Sequence, residues 1–210
     1  MQTLYAIDSL DKNDNKSDPA KVLKGQFQQT RNLFLYLINV LAKTAQYVET
    51  DARNRASKHL PSAEDLSVNT KLAGNLLLWK ILENESYSAA LKDSNVALLD
   101  DKEIIRKLFH LLEVTEEYKA YTAIAARDKK SEKDILLFIF NYILLPNELF
   151  IGFVEENFAN WDDDNSMLIQ LMGNFLSKPQ SFNFLAFVSA EKEKFATGLL
   201  ETAIEKEEYI

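Results

Sequence analysis

From Ala20 to Lys58 the chain runs without a proline and with a single glycine, Gly25. Within it Phe27, Leu33, Phe34, Leu37, Ile38, Leu41, Ala45 and Val48 recur at helical spacing. One helix over this stretch would be roughly 55–60 Å long, longer than the diameter of a compact body of this chain length, about 45 Å. Everything else must therefore be laid around it. Two faces of its centre are apolar, so it needs cover on two sides, and its far end, Glu49 to Lys58, is polar.

The rest of the sequence supplies more helices. Leu4, Tyr5 and Ile7 suggest the last turns of an amphipathic helix, and the polar run from Asp11 to Asp18 reads as a loop closed by the helix start Asp18-Pro19. His59-Leu60-Pro61-Ser62 ends the long helix, and Ser62 to Asp65 has capping-box spacing. Helices are expected over 71–84, from Asp100-Asp101 through Leu112, over 116–127, over 135–145 with capping at Ser131 to Asp134, over 147–158 and over 162–176. A short apolar helix is expected over 179–188 and a last one, capped by Ser189, to Tyr209, with residues 85–99 looser. No β-branched alternation long enough for a strand is present. The expectation is an all-α, multi-helix orthogonal bundle with a long central helix, one domain over 1–210, or a division into 1–99 and 100–210. Residues 104–118 and 195–209 align as a faint repeat, Ile104, Leu108, Phe109 and Glu116-Glu117-Tyr118 against Phe195, Leu199, Leu200 and Glu207-Glu208-Tyr209.

Composition narrows function. Among 210 residues there are 13 Phe and 8 Tyr and no Cys, which excludes a disulfide framework, a thiolate metal site and a cysteine nucleophile. A net charge of −8 makes the chain as a whole a poor ligand for phosphate backbones and leaves only a local basic face for nucleic acid. Residues 135–154 have the length of a bilayer span with one charge, Glu148, but Pro146-Asn147-Glu148 reads as a helix stop and restart, so no membrane span is expected. No signal peptide opens the chain, and the expected setting is cytoplasmic.

Motifs for chemistry are missing. There is no G-x-G-x-x-G, P-loop, G-x-S-x-G or H-E-x-x-H. His59 and His110 lie about fifty residues apart, His110 on an apolar helix face and His59 at a helix exit. Asp162-Asp163-Asp164-Asn165 starts like a calcium loop but lacks the later glycine and glutamate, and reads as acids at a helix N-terminus. No catalytic residue, metal or cofactor is expected. Arg53, Arg55 and Lys58, and the run Arg127 to Lys130, are the basic groups able to meet phosphate, with a solvated helix end as the plainer reading of the first. Tyr5, Tyr36 and Tyr47 could stack on bases, although their spacing favours the core.

Three stretches share a resemblance. Met1-Gln2-Thr3-Leu4-Tyr5-Ala6 is similar to the end of the first helix of NusB transcription-antitermination proteins. Ala52 to Pro61, with Glu64-Asp65-Leu66 and Asn69-Thr70, resembles a segment of the long-insert bacterial form of that family, as do Glu155 to Asp164 and the closing helix Glu191 to Tyr209. The resemblance implies a NusB-like fold and a non-enzymatic adaptor that binds the box A element of the ribosomal RNA leader with a small-subunit ribosomal protein, NusE, within the RNA polymerase antitermination complex. It implies RNA contacts by Gln2 and Tyr5, with Arg53, Arg55 and Lys58 as the further basic candidates. Met1 stands where the family's arginine-rich arm should end, and the family's C-terminal helical half would follow Ile210, so both are expected to be absent. The alternative is a helical protein-interaction module that binds no RNA. A methyltransferase carrying a NusB-like domain is disfavoured, because no glycine-rich cofactor loop is present.

Overall fold

A computed structural model describes residues 18–188 and 190–207, and every described element is helical. The expected first helix through Leu4, Tyr5 and Ile7 lies outside the described residues. The long helix α1 (Pro19–Ala56) forms as anticipated, capped by the Asp18 carboxylate, which accepts the Ala20 N–H at 3.0 Å, with Pro19 in its first turn. All ten residues from 33 to 42 are buried, so the centre of α1 is covered on every side. A helix can be enclosed in this way when its polar atoms are used internally and its side chains are apolar all round.

Around α1 lie α2 (Ala63–Leu66), α3 (Leu76–Leu82), α4 (Glu85–Asp93), α5 (Lys102–Glu113), α6 (Glu116–Ala123), α7 (Lys129–Phe138), α8 (Glu148–Asn157), α9 (Trp161–Phe175) and α10 (Ala190–Glu207). The wider-wound π segment Ile139–Leu144 continues α7, and short 3-10 turns occupy Asn95–Leu98 and Pro179–Ser181. Helix α5 packs along α1, α3 packs on α7, and α6 packs on α7. One hydrophobic core runs from Leu33 to Phe184, including the rings of Phe34, Phe175, Phe182 and Phe184, whose centroids lie 4.7–6.4 Å apart. A second, small cluster joins Leu23 of α1 to Leu200 of α10.

Several boundaries differ from the sequence expectations, and hydrogen bonding explains each. The helix expected from residue 71 starts at Leu76, because the buried Asn75 Oδ1 accepts the Leu77 and Leu78 N–H groups at 2.9 and 3.1 Å. Within 85–99, residues 85–93 are α-helical and 95–98 form a 3-10 turn rather than loose chain, since Asn84 caps α4 through the Ser86 and Tyr87 N–H groups. Helix α6 ends at Ala123, where carbonyls it would have used face Lys71. Helix α7 begins at Lys129 under an Asp128 cap, ahead of the expected Ser131. The apolar stretch 179–188 makes one 3-10 turn and then irregular chain, because the Asn84 side chain takes the carbonyls of Pro179 and Phe182.

The span-length stretch divides as expected. Lys129–Leu144 and Glu148–Asn157 meet at 83°, and among the described residues no single helix is long and apolar enough to cross a membrane. The faint repeat is not a structural one. Val114 and Thr115 break the first copy into α5 and α6, with Thr115 capping Tyr118, whereas α10 runs unbroken through the equivalent positions. Ile104 is half-buried and Leu108 buried, while their counterparts in α10, Phe195 and Leu199, are largely exposed; Phe109 and its counterpart Leu200 are both buried, but in separate clusters.

Candidate functional site

The basic segment anticipated for RNA lies on the last turns of α1 and the chain just beyond it. Arg53 is exposed and, among the described residues, its side chain bonds only within its own helix, donating to the Glu49 carbonyl at 3.2 Å and to Thr50 Oγ1 at 3.3 Å. Arg55 is engaged otherwise. Its Nε donates to Asp51 at 2.5 Å and its Nη2 to Glu113 of α5. Burial works against the Arg55 charge, but Glu113 and Asp51 outweigh it and raise the guanidinium pKa above its ordinary value. Lys58 Nζ lies 2.7 Å from Asp65. The Lys58 and Ser62 hydrogen bonds lower the Asp65 pKa to about 2, and the capping box anticipated at Ser62 closes through this same carboxylate. Two of the three predicted cations are thus already matched with carboxylates. Gln2 and Tyr5 lie outside the described residues. Tyr36 is buried against Phe150, Phe153 and Phe158, so its ring cannot stack on bases; Tyr47 is half-buried, packs on Phe109 and lines the cleft between α1 and α5.

The second basic run is divided between free and engaged charges. Lys129, Lys130 and Arg127 are all exposed, but the Arg127 guanidinium is bonded to a buried carboxylate in a cluster that no spacing in the sequence marks. Glu132, on the first turn of α7, is fully buried. Its carboxylate accepts the Leu76 N–H at 2.6 Å, the Tyr121 hydroxyl at 3.0 Å and Arg127 Nη1 at 3.2 and 3.3 Å. Arg127 also donates to the carbonyls of Gly74 at 2.6 Å and Lys71 at 3.0 Å. Lys71 Nζ in turn donates to the carbonyls of Tyr121, Ile124 and Ala126 and sits 4.1 Å over the Tyr121 ring. Asn75 Nδ2 adds a bond to the Glu132 carbonyl at 2.8 Å. A Cβ at Gly74 would stand 2.8 Å from Arg127 Nη2, so the absence of a side chain there lets the guanidinium approach. Together these bonds fasten the 124–128 connection to the turn before α3. The participants are separated by up to some sixty residues and form no local pattern, which is why periodicity could not reveal them.

Beside this cluster, α6 on one side and α7 with the π segment on the other form an open groove of about 480 Å³. Its walls include Ala120, Tyr121, Ile124, Ile135, Leu137, Phe138 and Tyr142. Ile124 is 61% exposed and Tyr142 69%, high values for large apolar groups. The Tyr142 ring stacks on Phe138 with centroids 5.3 Å apart. A larger and more polar cleft of about 1010 Å³ runs between α1 and the start of α5; there the carboxylate of the buried Asp101 accepts from Lys43 Nζ at 2.9 and 3.1 Å.

The remaining sequence candidates fall into structural roles. His110 Nδ1 lies 2.7 Å from Glu113, and His59 is exposed past the end of α1. Asp162, Asp163 and Asp164 occupy the first turn of α9, where Asp164 accepts from Thr30 at 2.6 Å and Asn160 at 2.7 Å. Among the described residues no group of three or more metal-ligating side chains converges. Comparison of the chain with protein-family models, with curated proteins and with solved structures finds no match.

Proposed function

We propose that this chain is a non-enzymatic helical adaptor that works by presenting preformed surfaces to other macromolecules. The observation that carries this reading is the apolar groove between α6 and α7. Its exposed aliphatic and aromatic walls gain free energy by being covered, and the buried Glu132–Arg127 cluster holds them in place. The resemblance in residues 1–6, 52–70, 155–164 and 191–209 supports placing the adaptor in bacterial transcription antitermination. There its ligands would be box A RNA and a small-subunit ribosomal protein, in the cytoplasm.

In that setting the RNA would meet Arg53, whose charge is matched by no carboxylate among the described residues, together with Gln2 and Tyr5. Each phosphate neutralised on a single strand contributes a slope of about −0.7 to the dependence of log affinity on log salt. With Arg55 and Lys58 held by carboxylates, residues 53–58 supply about one such contact rather than three. The same pairing favours the second reading, a protein-interaction module that binds no RNA.

Binding of the complete protein plus its ribosomal partner to box A and to scrambled RNA tests the proposal. A salt-sensitive preference for box A is expected. Equal binding of both RNAs ends the antitermination assignment, and partner capture that survives nuclease treatment then favours the second reading.

A further inference from the structure

We propose that the groove between α6 and the α7–π segment receives a short amphipathic helix flanked by lysine or arginine. This deepens the adaptor reading and rests on its protein-binding half, but not on RNA recognition.

The form of the ligand follows from the walls. They are helix side chains throughout, so an extended peptide would find no sheet edge to pair with and would carry unsatisfied backbone groups into an apolar site. A helix satisfies its own backbone and offers apolar residues at positions i, i+3 or i+4, and i+7. The shorter wall, α6, has eight residues, about 12 Å or two turns, which matches a docked segment of two to three turns. Ile124 and Tyr142 stand open on the two walls as the surfaces to be covered.

The charge of the ligand follows from the rim. Glu117 lies on the α6 wall and Asp134 on the α7 wall, both exposed and neither in an ion pair among the described residues, and no lysine or arginine lines the groove. Glu117 and Asp134 would flank a bound helix with negative charge, which favours basic residues beside its apolar stripe and disfavours acidic ones. The same sign argues against a second copy of this chain, whose net charge is −8. The groove is also preorganised: Lys71 and Arg127 hold the 121–127 backbone, so little ordering is left to oppose binding.

The probe is a fluorescein-labelled 14-residue peptide with leucine at positions 3, 6, 7 and 10 and lysine and alanine elsewhere. Fluorescence anisotropy compares it with a version carrying glutamate for lysine and one with a central proline, all without RNA. Saturable binding of the lysine peptide is expected, with both controls at least tenfold weaker. Tyr142→Ala should weaken the lysine peptide about tenfold. Glu117→Gln with Asp134→Asn, both at exposed positions, should reduce the lysine-over-glutamate preference several-fold while circular dichroism stays unchanged. The proposal is overturned by absent binding, by equal binding of lysine and glutamate peptides, or by a preference untouched in the Glu117→Gln/Asp134→Asn protein. Self-association that competes with the peptide and is lost in Tyr142→Ala would assign the groove to a second copy instead. A failure of box A binding leaves every one of these outcomes readable, because no RNA enters the assay.

Discussion

Replacing Arg127 with methionine keeps most of the side-chain volume and removes the guanidinium from the buried cluster. Glu132 then loses its only cationic partner among the described residues, and the carbonyls of Gly74 and Lys71 lose a donor. Breaking a buried pair by deleting one partner costs about 3–5 kcal/mol. Two features move the expectation to the low end: the Arg127 side chain is 31% exposed, and the Leu76 N–H and Tyr121 hydroxyl still hold the carboxylate. A loss of about 3 kcal/mol is expected, equivalent to a fall in Tm of about 6–12 °C for a domain of this size. Glu132→Gln should cost about 2 kcal/mol, since its amide turns a donor toward groups that themselves donate. Because the two substitutions damage one network, the double variant should fall short of their sum by about 1–2 kcal/mol. Urea unfolding followed by circular dichroism measures all three. A cost below about 0.5 kcal/mol for Arg127→Met, or simple additivity in the double variant, would refute the assignment of this cluster as the fastening of the groove.

Two further outcomes follow from the same structure. Asn75→Ala removes a cap that accepts two N–H groups and a donor to the Glu132 carbonyl, and is expected to cost about 2 kcal/mol in the same unfolding assay, with amide exchange at Leu77 and Leu78 accelerated first. Burial raises the pKa of Tyr36, Tyr87, Tyr118 and Tyr121, with Asp101, Glu113 and Glu132 adding to the effect at Tyr36, Tyr118 and Tyr121 respectively, and Tyr118 is pushed up to about 12. A raised folded pKa means that this stability is complete below the unfolded value near 10 and is lost as the pH rises through the folded value. Absorbance at 295 nm should therefore show these four ionising together with unfolding above pH 10; their ionisation in the folded protein near pH 10 would contradict the packing.

How far the fold was legible can be traced to particular residues. The long helix, the break at Pro61, the capping box at Ser62 and Asp65, the Asp100-Asp101 start and the turn at Pro146 are all local signals, acting within four residues, and each appears in the structure. The misplaced boundaries at Leu76, Ala123 and Lys129 lie around one cluster, where Asn75, Lys71 and Arg127 bond to groups far along the chain. The anticipated basic site shows the same division. Arg53, Arg55 and Lys58 stand together on the sequence, but Glu113, 58 residues beyond Arg55, claims one of them.

By itself the sequence determined that the chain is helical and where its longest helix runs; the expected cover on two faces became cover on every side only through packing. Hydrophobic period, caps and prolines act between near neighbours, and those distances are the same in any fold. Which charges remain available to a partner, and where an apolar groove stays open, was decided only in three dimensions. A carboxylate buried from water takes whichever cation the packing brings to it, and that choice is made between elements that sequence spacing does not relate.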